Sequence, residues 1–180
     1  GVGLQSSIIK QKKKNLVKTM KEIIKSQNFR KRFKNAKPVG KPSSWSLPFG
    51  SIKRKSYGNG VLLLGDAAGL VDPFTGEGIG NAMVSGKIAA QTLLSSKSVN
   101  DYSSKYLSRY EKDLWNFIGS ELRVSTKLLK LARSKFLLNF VIDRAARNNN
   151  TRNIISGMLA NEIPKTELSN PLFYLKILFS

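Results

Sequence analysis

The 180-residue sequence predicts an α+β chain, and three observations carry that reading. Gly60-Val61-Leu62-Leu63-Leu64-Gly65 is a continuous apolar run too short for a helix, which reads as a strand buried on both faces. A Gly/Pro/Asp loop from Asp66 to Gly76 then feeds a helix. Beyond Asn100, Tyr106, Leu107, Tyr110, Leu114, Phe117, Ile118, Ser125, Leu128 and Ala132 hold a three-four spacing, the mark of a long helix.

In chain order, Val2 to Ile9 reads as a strand opened by Gly1 and Gly3. From Asn15, the positions Leu16, Met20, Ile23, Ile24 and Gln27 follow helical spacing, and Phe29 with Phe33 suggests one more turn. Pro38, Gly40, Pro42, Ser43 and Ser44 break the pattern. Trp45, Leu47 and Phe49 alternate with small residues as in a short strand. After the apolar run and its loop, a helix is predicted from about Glu77 to Leu94. Ile79, Ala82, Met83, Gly86, Ala89, Ala90 and Leu93 share one face of it, small enough for a close neighbour. Phe136 to Ala146 and Ile154 to Leu159 read as shorter helices separated by Asn148 to Asn150. Pro171 to Phe179 is apolar and is expected to pack against something.

Composition narrows the chemistry. There is no Cys and no His, which excludes a disulfide framework, a thiolate nucleophile, a Cys/His zinc site and a Ser-His-Asp triad. No residue has a catalytic signature of its own, and no metal site is predicted. No run approaches the roughly 18 apolar residues of a membrane-spanning helix, and no signal peptide opens the chain. The absent Cys is compatible with a cytoplasmic location.

The formal charge of +20 is uneven. Residues 1–60 hold 16 basic and one acidic side chain, residues 61–95 one basic and three acidic, residues 96–180 14 basic and seven acidic. The basic excess therefore avoids the glycine-rich middle. Lys10, Lys12, Lys13, Lys14, Lys18, Lys21 and Lys25, followed by Arg30, Lys31 and Arg32, suit a solvated helix face or peripheral contact with an anionic membrane. No zinc finger, RNP motif or helix-turn-helix accompanies them, so nucleic acid is the weaker partner.

Residues 60–90 carry the chemistry. A carboxylate at the tip of a buried strand, Asp66, needs partners, and the hydroxyls of a sugar-like ligand supply them. Ala67, Ala68 and Gly69 admit ligand atoms close to the backbone. Gly76 to Gly80 open a helix, whose free N–H groups and dipole favour negative charge. The plain structural alternative is a glycine-rich turn with an Asp cap. Walker A fails, because Asn81 stands where its first Gly belongs and Ile88 where Ser or Thr belongs. The dinucleotide fingerprint fails at every Gly-x-Gly pair.

Val61-Leu62-Leu63-Leu64-Gly65-Asp66-Ala67-Ala68-Gly69-Leu70-Val71-Asp72-Pro73-Phe74-Thr75-Gly76-Glu77-Gly78-Ile79 resembles the second flavin-binding motif of the para-hydroxybenzoate-hydroxylase-like flavoproteins. The Gly-Asp-Ala-Ala core is shared by their hydroxylases, epoxidases and halogenases. The continuation from Pro73 to Ile79, with Ala82 and Ser85-Gly86, is most similar to the geranylgeranyl reductases.

The resemblance implies an FAD/NAD(P)-binding α/β flavoprotein of which this is the C-terminal part. Residues 1–52 would be the remainder of a substrate domain, 53–98 the closing strand-loop-helix of the FAD domain and 99–180 a helical region, with the dinucleotide-binding part absent. It implies FAD as cofactor, held by Gly65, Asp66, Pro73, Thr75, Gly76, Gly78 and Ile79. Asp66 would bind the ribityl or pyrophosphate region, and the N–H groups around Gly78 and Ile79 would face the ring near N1 and the C2 carbonyl. Glu77 reads as a first-turn helix acid. The activity implied is hydride transfer from reduced flavin to a double bond of an isoprenoid chain. The reductant would be NAD(P)H or a reduced electron carrier. Phe117, Leu128, Phe136 and Phe140 would line an apolar channel or simply pack a core. A lipid substrate would place the protein at the inner face of the membrane. The rivals are a monooxygenase or halogenase of the same fold, and a non-enzymatic basic binding module.

Overall fold

The computed structural model describes residues 1–160, 162 and 163, and it divides into two compact units, Gly1–Ser46 and a second from Leu47 onward. The expected apolar packing of Pro171 to Phe179 lies outside the described residues.

The first unit holds α1 (Ser6–Gln11) and α2 (Leu16–Lys25). The strand expected over Val2 to Ile9 is not formed. No neighbouring strand pairs with it among the described residues, so the Gln5 carbonyl takes the Ile8 and Ile9 N–H groups at 2.9 and 3.0 Å and starts a helix instead. The Asn15 side chain caps α2 by accepting the Lys18 N–H at 3.0 Å. Phe29 and Phe33 form the further turn expected of them, their ring centroids 6.4 Å apart.

The second unit is mainly helical. Its strands are β1 (Tyr57–Gly58) and β2 (Val61–Leu62), an antiparallel pair in which Tyr57 faces Leu62 and Gly58 faces Val61. The run at 60–65 is thus not a strand buried on both faces: Val61 is 52% exposed, and Leu63 and Leu64 are also exposed. Burying both faces and both edges takes neighbours on either side, and among the described residues β2 has one. The strand expected over Trp45 to Phe49 reduces to one parallel bridge between Phe49 and Val71, with Trp45 exposed.

A 3-10 turn, Gly65–Ala68, follows β2 and leads through the loop into α3 (Ile79–Val99). α4 (Ser104–Leu131) packs along α3 and against both strands. Ser103 caps it by accepting the Tyr106 N–H at 3.3 Å. Of the positions read from Tyr106 onward, Leu107, Tyr110, Leu114, Ile118 and Ser125 are buried, together with Leu122, which the reading did not include, whereas Phe117 is exposed. Tyr110, Leu114, Ile118 and Leu122 form the core with Ala68, Leu70 and Ala89.

The packed face of α3 is not the one expected. Ser85, Ala89, Thr92 and Ser96 are buried, whereas Ile79, Met83 and Leu93 are exposed. Hydroxyls can be buried there because backbone carbonyls accept them, within the helix for Ser85 and Thr92 and from Asp101 beyond its end for Ser96. Ser85 donates to the Ala82 carbonyl at 2.8 Å and Thr92 to the Ile88 carbonyl at 2.9 Å. Their small size lets the bulky side chains of α4 approach.

α5 (Lys135–Arg147) and α6 (Asn149–Leu159) close the described chain as a helical hairpin. Asn148 ends one and caps the other, accepting the Thr151 N–H at 2.9 Å. Arg152 clamps the hairpin by donating to the Ala145 and Ala146 carbonyls at 3.3 and 3.0 Å. None of the described helices is long and apolar enough to cross a membrane.

Candidate functional site

The strand–turn–loop–helix from Val61 to the first turn of α3 holds every cofactor-binding residue expected from the sequence, and α4 fixes it from beneath. At its entry the Tyr110 hydroxyl donates to the Leu63 carbonyl at 2.7 Å, and Gly65 N–H donates to Ser85 Oγ at 3.0 Å. Burial holds the Tyr110 phenol above its ordinary value of 10.0, partly offset by the nearby Ser85 hydroxyl. Gly65 sits at φ +50°, and a Cβ there would meet Ala82 Cβ of α3 at 2.9 Å. This close approach of turn and helix is what requires glycine.

Asp66 is exposed, not buried, so water can meet the requirement that a buried strand tip would have imposed. It does lie beside the start of α3: a Cβ on Gly78, the N-cap of that helix, would stand 3.1 Å from Asp66 Oδ1. A carboxylate acceptor and a helix N-terminus therefore share one solvent-facing surface. Ile79 begins the helix with its side chain 77% exposed. Glu77 accepts the Gly80 N–H at 2.7 Å through Oε1, although it stands one residue before the N-cap and not in the first turn expected for it.

The loop between them is organised by Asp72, which sequence reasoning did not single out. Its side chain is only 4% exposed. Oδ1 accepts the Phe74 and Thr75 N–H groups, both at 2.9 Å, and the Thr75 hydroxyl at 3.1 Å. Oδ2 accepts the Ser125 hydroxyl of α4 at 2.6 Å. The backbone closes the same loop: Asp72 N–H donates to the Glu77 carbonyl at 2.7 Å and Gly76 N–H to the Asp72 carbonyl at 2.9 Å. Pro73 is buried within it, and Gly76 at φ +77° faces open space. The signal available in sequence was an Asp three residues before a Thr, an Asx-turn spelling. Its long-range partner Ser125 had no such signal.

Surrounding residues complete the support. Arg54 lies against Gly69 and donates to the Phe49 carbonyl at 2.9 Å. Glu111 of α4 accepts the Ser56 N–H at 2.9 Å and pairs with Lys53 at 3.3 Å. The residues expected to line a channel do not converge on one among the described residues: Phe117 is 67% and Phe136 78% exposed, and Phe140 is exposed too. Phe117 borders an open groove of about 340 Å³ between α3 and α4, shared with Ile88, Thr92, Tyr106 and Arg109.

The surface fits part of a flavin nucleotide. Gly78 leaves a cradle that a Cβ would fill, an exposed carboxylate can accept from hydroxyls, and a helix N-terminus can face an electron-rich ring.

Curated relatives are similar to the chain over part of their length. A digeranylgeranylglycerophospholipid reductase of Methanococcus vannielii is 32% identical over 156 residues, covering 84% of this chain and 39% of that protein. The reductase of the same name from Thermoplasma acidophilum is 53% identical over 53 residues, 29% of this chain and 13% of the relative. Conditioned medium factor receptor 1 of Dictyostelium discoideum is 41% identical over 103 residues, 56% of this chain and 19% of the relative. The chain is thus homologous to members of the geranylgeranyl reductase family, and it spans about two fifths of the length of the first of these relatives. No protein-family model matches the chain, and no solved structure matches it significantly.

Proposed function

We propose that the protein is part of an FAD-dependent reductase that saturates double bonds in isoprenoid chains of lipids. The observation that carries this reading is the closeness of the exposed Asp66 carboxylate to the Gly78 N-cap, in a chain similar to proteins named digeranylgeranylglycerophospholipid reductases. Bound FAD would supply hydride to an alkene carbon. The residues of this chain would hold it: Asp66 accepting from ribityl or pyrophosphate-side hydroxyls, and the turn Gly76-Glu77-Gly78-Ile79 presenting N–H groups and the α3 dipole to the ring. Pro73 and Thr75 would shape the loop on the ring's face, and Gly65 would bring the turn against α3. Such a helix terminus favours the form of the ring that carries more negative charge.

The domain assignment follows the same reading, with 1–52 the remainder of a substrate domain, 53–98 closing an FAD domain and 99–180 a C-terminal region. The reductant is NAD(P)H or a reduced carrier, and the basic surface would meet an anionic bilayer where the lipid substrate resides. The reductase names of the relatives favour this over a monooxygenase or halogenase of the same fold.

The test starts with the protein expressed from its natural reading frame. Flavin absorbance in the purified protein, and gain of two hydrogens per double bond when it is reduced in the presence of a digeranylgeranylglycerophospholipid, are the expected results. Asp66→Ala should lose flavin and melt at the temperature of the flavin-stripped wild type, since the side chain is exposed. Oxygen-dependent hydroxylation would favour the monooxygenase. A colourless protein that binds DNA in a salt-dependent manner would favour the binding module. A reading frame with no dinucleotide fingerprint would sink the flavoprotein assignment.

A further inference from the structure

We infer that Asp72 and Ser125 are positioning residues through which α4 sets the electron affinity of the flavin site, an inference that rests on the proposed function. Three groups of observations carry it. First, the pair is buried and close: Ser125 is wholly inaccessible, Asp72 is 4% exposed, and the hydroxyl donates to Oδ2 at 2.6 Å. A short hydrogen bond in such water-excluded surroundings is strong, so Ser125 fixes the orientation of the Asp72 side chain.

Second, the carboxylate so oriented dictates the shape of the loop. Oδ1 gathers Phe74 N–H, Thr75 N–H and the Thr75 hydroxyl, while the Asp72 N–H and carbonyl tie to Glu77 and Gly76. Thr75 Oγ1 then accepts the Glu77 N–H at 3.2 Å. The chain leaves this closed ring at Glu77, and the next residue is the α3 N-cap. Third, the other end of the segment is fixed by the same helix, through Tyr110 and the Leu63 carbonyl. Tyr110 and Ser125 are about 22 Å apart along α4, at 1.5 Å per residue. α4 thus clamps the segment on both sides of Asp66, and a helix that contributes no residue to the cofactor surface governs where its N–H donors stand.

Donors held in place before charge develops stabilise that charge more than donors that must be reoriented. Loosening Ser125 should therefore weaken the preference of the site for reduced over oxidised flavin, more than it weakens flavin binding itself.

The experiment compares the FAD-loaded wild-type protein with Ser125→Ala, Ser125→Cys and the double variant Asp72→Asn/Ser125→Ala, alongside Asp72→Asn. The midpoint potential is measured by dye equilibration, and the visible flavin spectrum and melting temperature are recorded. Ser125→Ala should retain flavin, shift its spectrum and lower the reduced-to-oxidised affinity ratio about tenfold, equivalent to about 30 mV for a two-electron couple. Ser125→Cys, a weaker donor of similar size, should fall between the two, and it decides the matter if the Ala variant does not fold. The double variant should sit close to Asp72→Asn alone, because the two residues act through one bond. Lowered melting temperatures with a wild-type potential and spectrum would overturn the inference and leave the pair merely structural. A wild-type protein that holds no flavin would overturn the proposed function instead, before any variant is needed.

Discussion

Tyr110→Phe tests the attachment of the candidate site to α4 without disturbing the packing around it. The ring is wholly buried and stays in place, and only the hydroxyl that donates to the Leu63 carbonyl at 2.7 Å is removed. A net hydrogen bond contributes about 1 kcal/mol, and stranding a buried acceptor costs about 1–3 kcal/mol. Leu63 is itself 38% exposed, so water can reach part of its surroundings and the loss should fall at about 1–2 kcal/mol. For a chain of this size each kcal/mol moves the melting temperature by about 2–4 °C. Thermal melts followed by circular dichroism at neutral pH measure that shift.

A pH series adds an independent check. Burial raises the folded pKa of Tyr110 above 10.0, so the folded state holds the proton after the unfolded chain begins to release it. This contribution is fully present below about pH 10 and is lost as the pH climbs through the raised folded value. The phenylalanine variant has no phenol to titrate, so the stability gap between it and the wild type should close above pH 10. An unchanged melting temperature at neutral pH, or a gap that stays constant into strong alkali, would refute the reasoning.

Three further outcomes are expected. Gly76→Ala should cost about 1 kcal/mol, the left-handed backbone penalty alone, because its Cβ would face open space; Gly65→Ala should cost at least double, since Ala82 Cβ stands 2.9 Å away, and denaturant melts would rank them. Ser103→Ala should lower stability by about 1 kcal/mol through loss of the α4 cap. It should also return the Asp101 carboxyl, now lowered chiefly by its hydrogen bonds to Ser103, toward 3.8; the stability Asp101 lends is present above that value and lost as the pH falls through the lowered one, which carboxyl NMR titration would follow. Glu111→Ala should destabilise the segment before β1 by about 1–3 kcal/mol by stranding the Ser56 N–H, while Glu111→Gln, which keeps an acceptor, should recover most of it; hydrogen exchange at Ser56 reports both.

The sequence by itself determined what depends on local chemistry. Helical spacing located α2, α4 and α5 within a few residues, because each periodic face lies in a continuous stretch of chain. By contrast, α3 runs past Leu94 to Val99, and α6 begins at Asn149, inside the Asn run read as a break. The spelling from Gly65 to Ile79 identified the turn, the loop and the helix start, because left-handed glycines and a helix N-terminus are local demands. The same spelling pointed to the family of the curated relatives.

Tertiary structure decided what depends on partners distant in the chain. β2 is short and half covered because a strand's burial is set by its neighbours, not by its own apolar run. α3 buries Ser85, Thr92 and Ser96 rather than Ile79, Met83 and Leu93 because carbonyls within the helix, and that of Asp101 just beyond it, accept the hydroxyls, and small side chains admit α4. Asp66, expected to be buried, lies in solvent, while the buried carboxylate is Asp72, held by a serine 53 residues away. Nothing local to Asp72 could announce Ser125; only packing α4 across the loop brings a hydroxyl to its second oxygen.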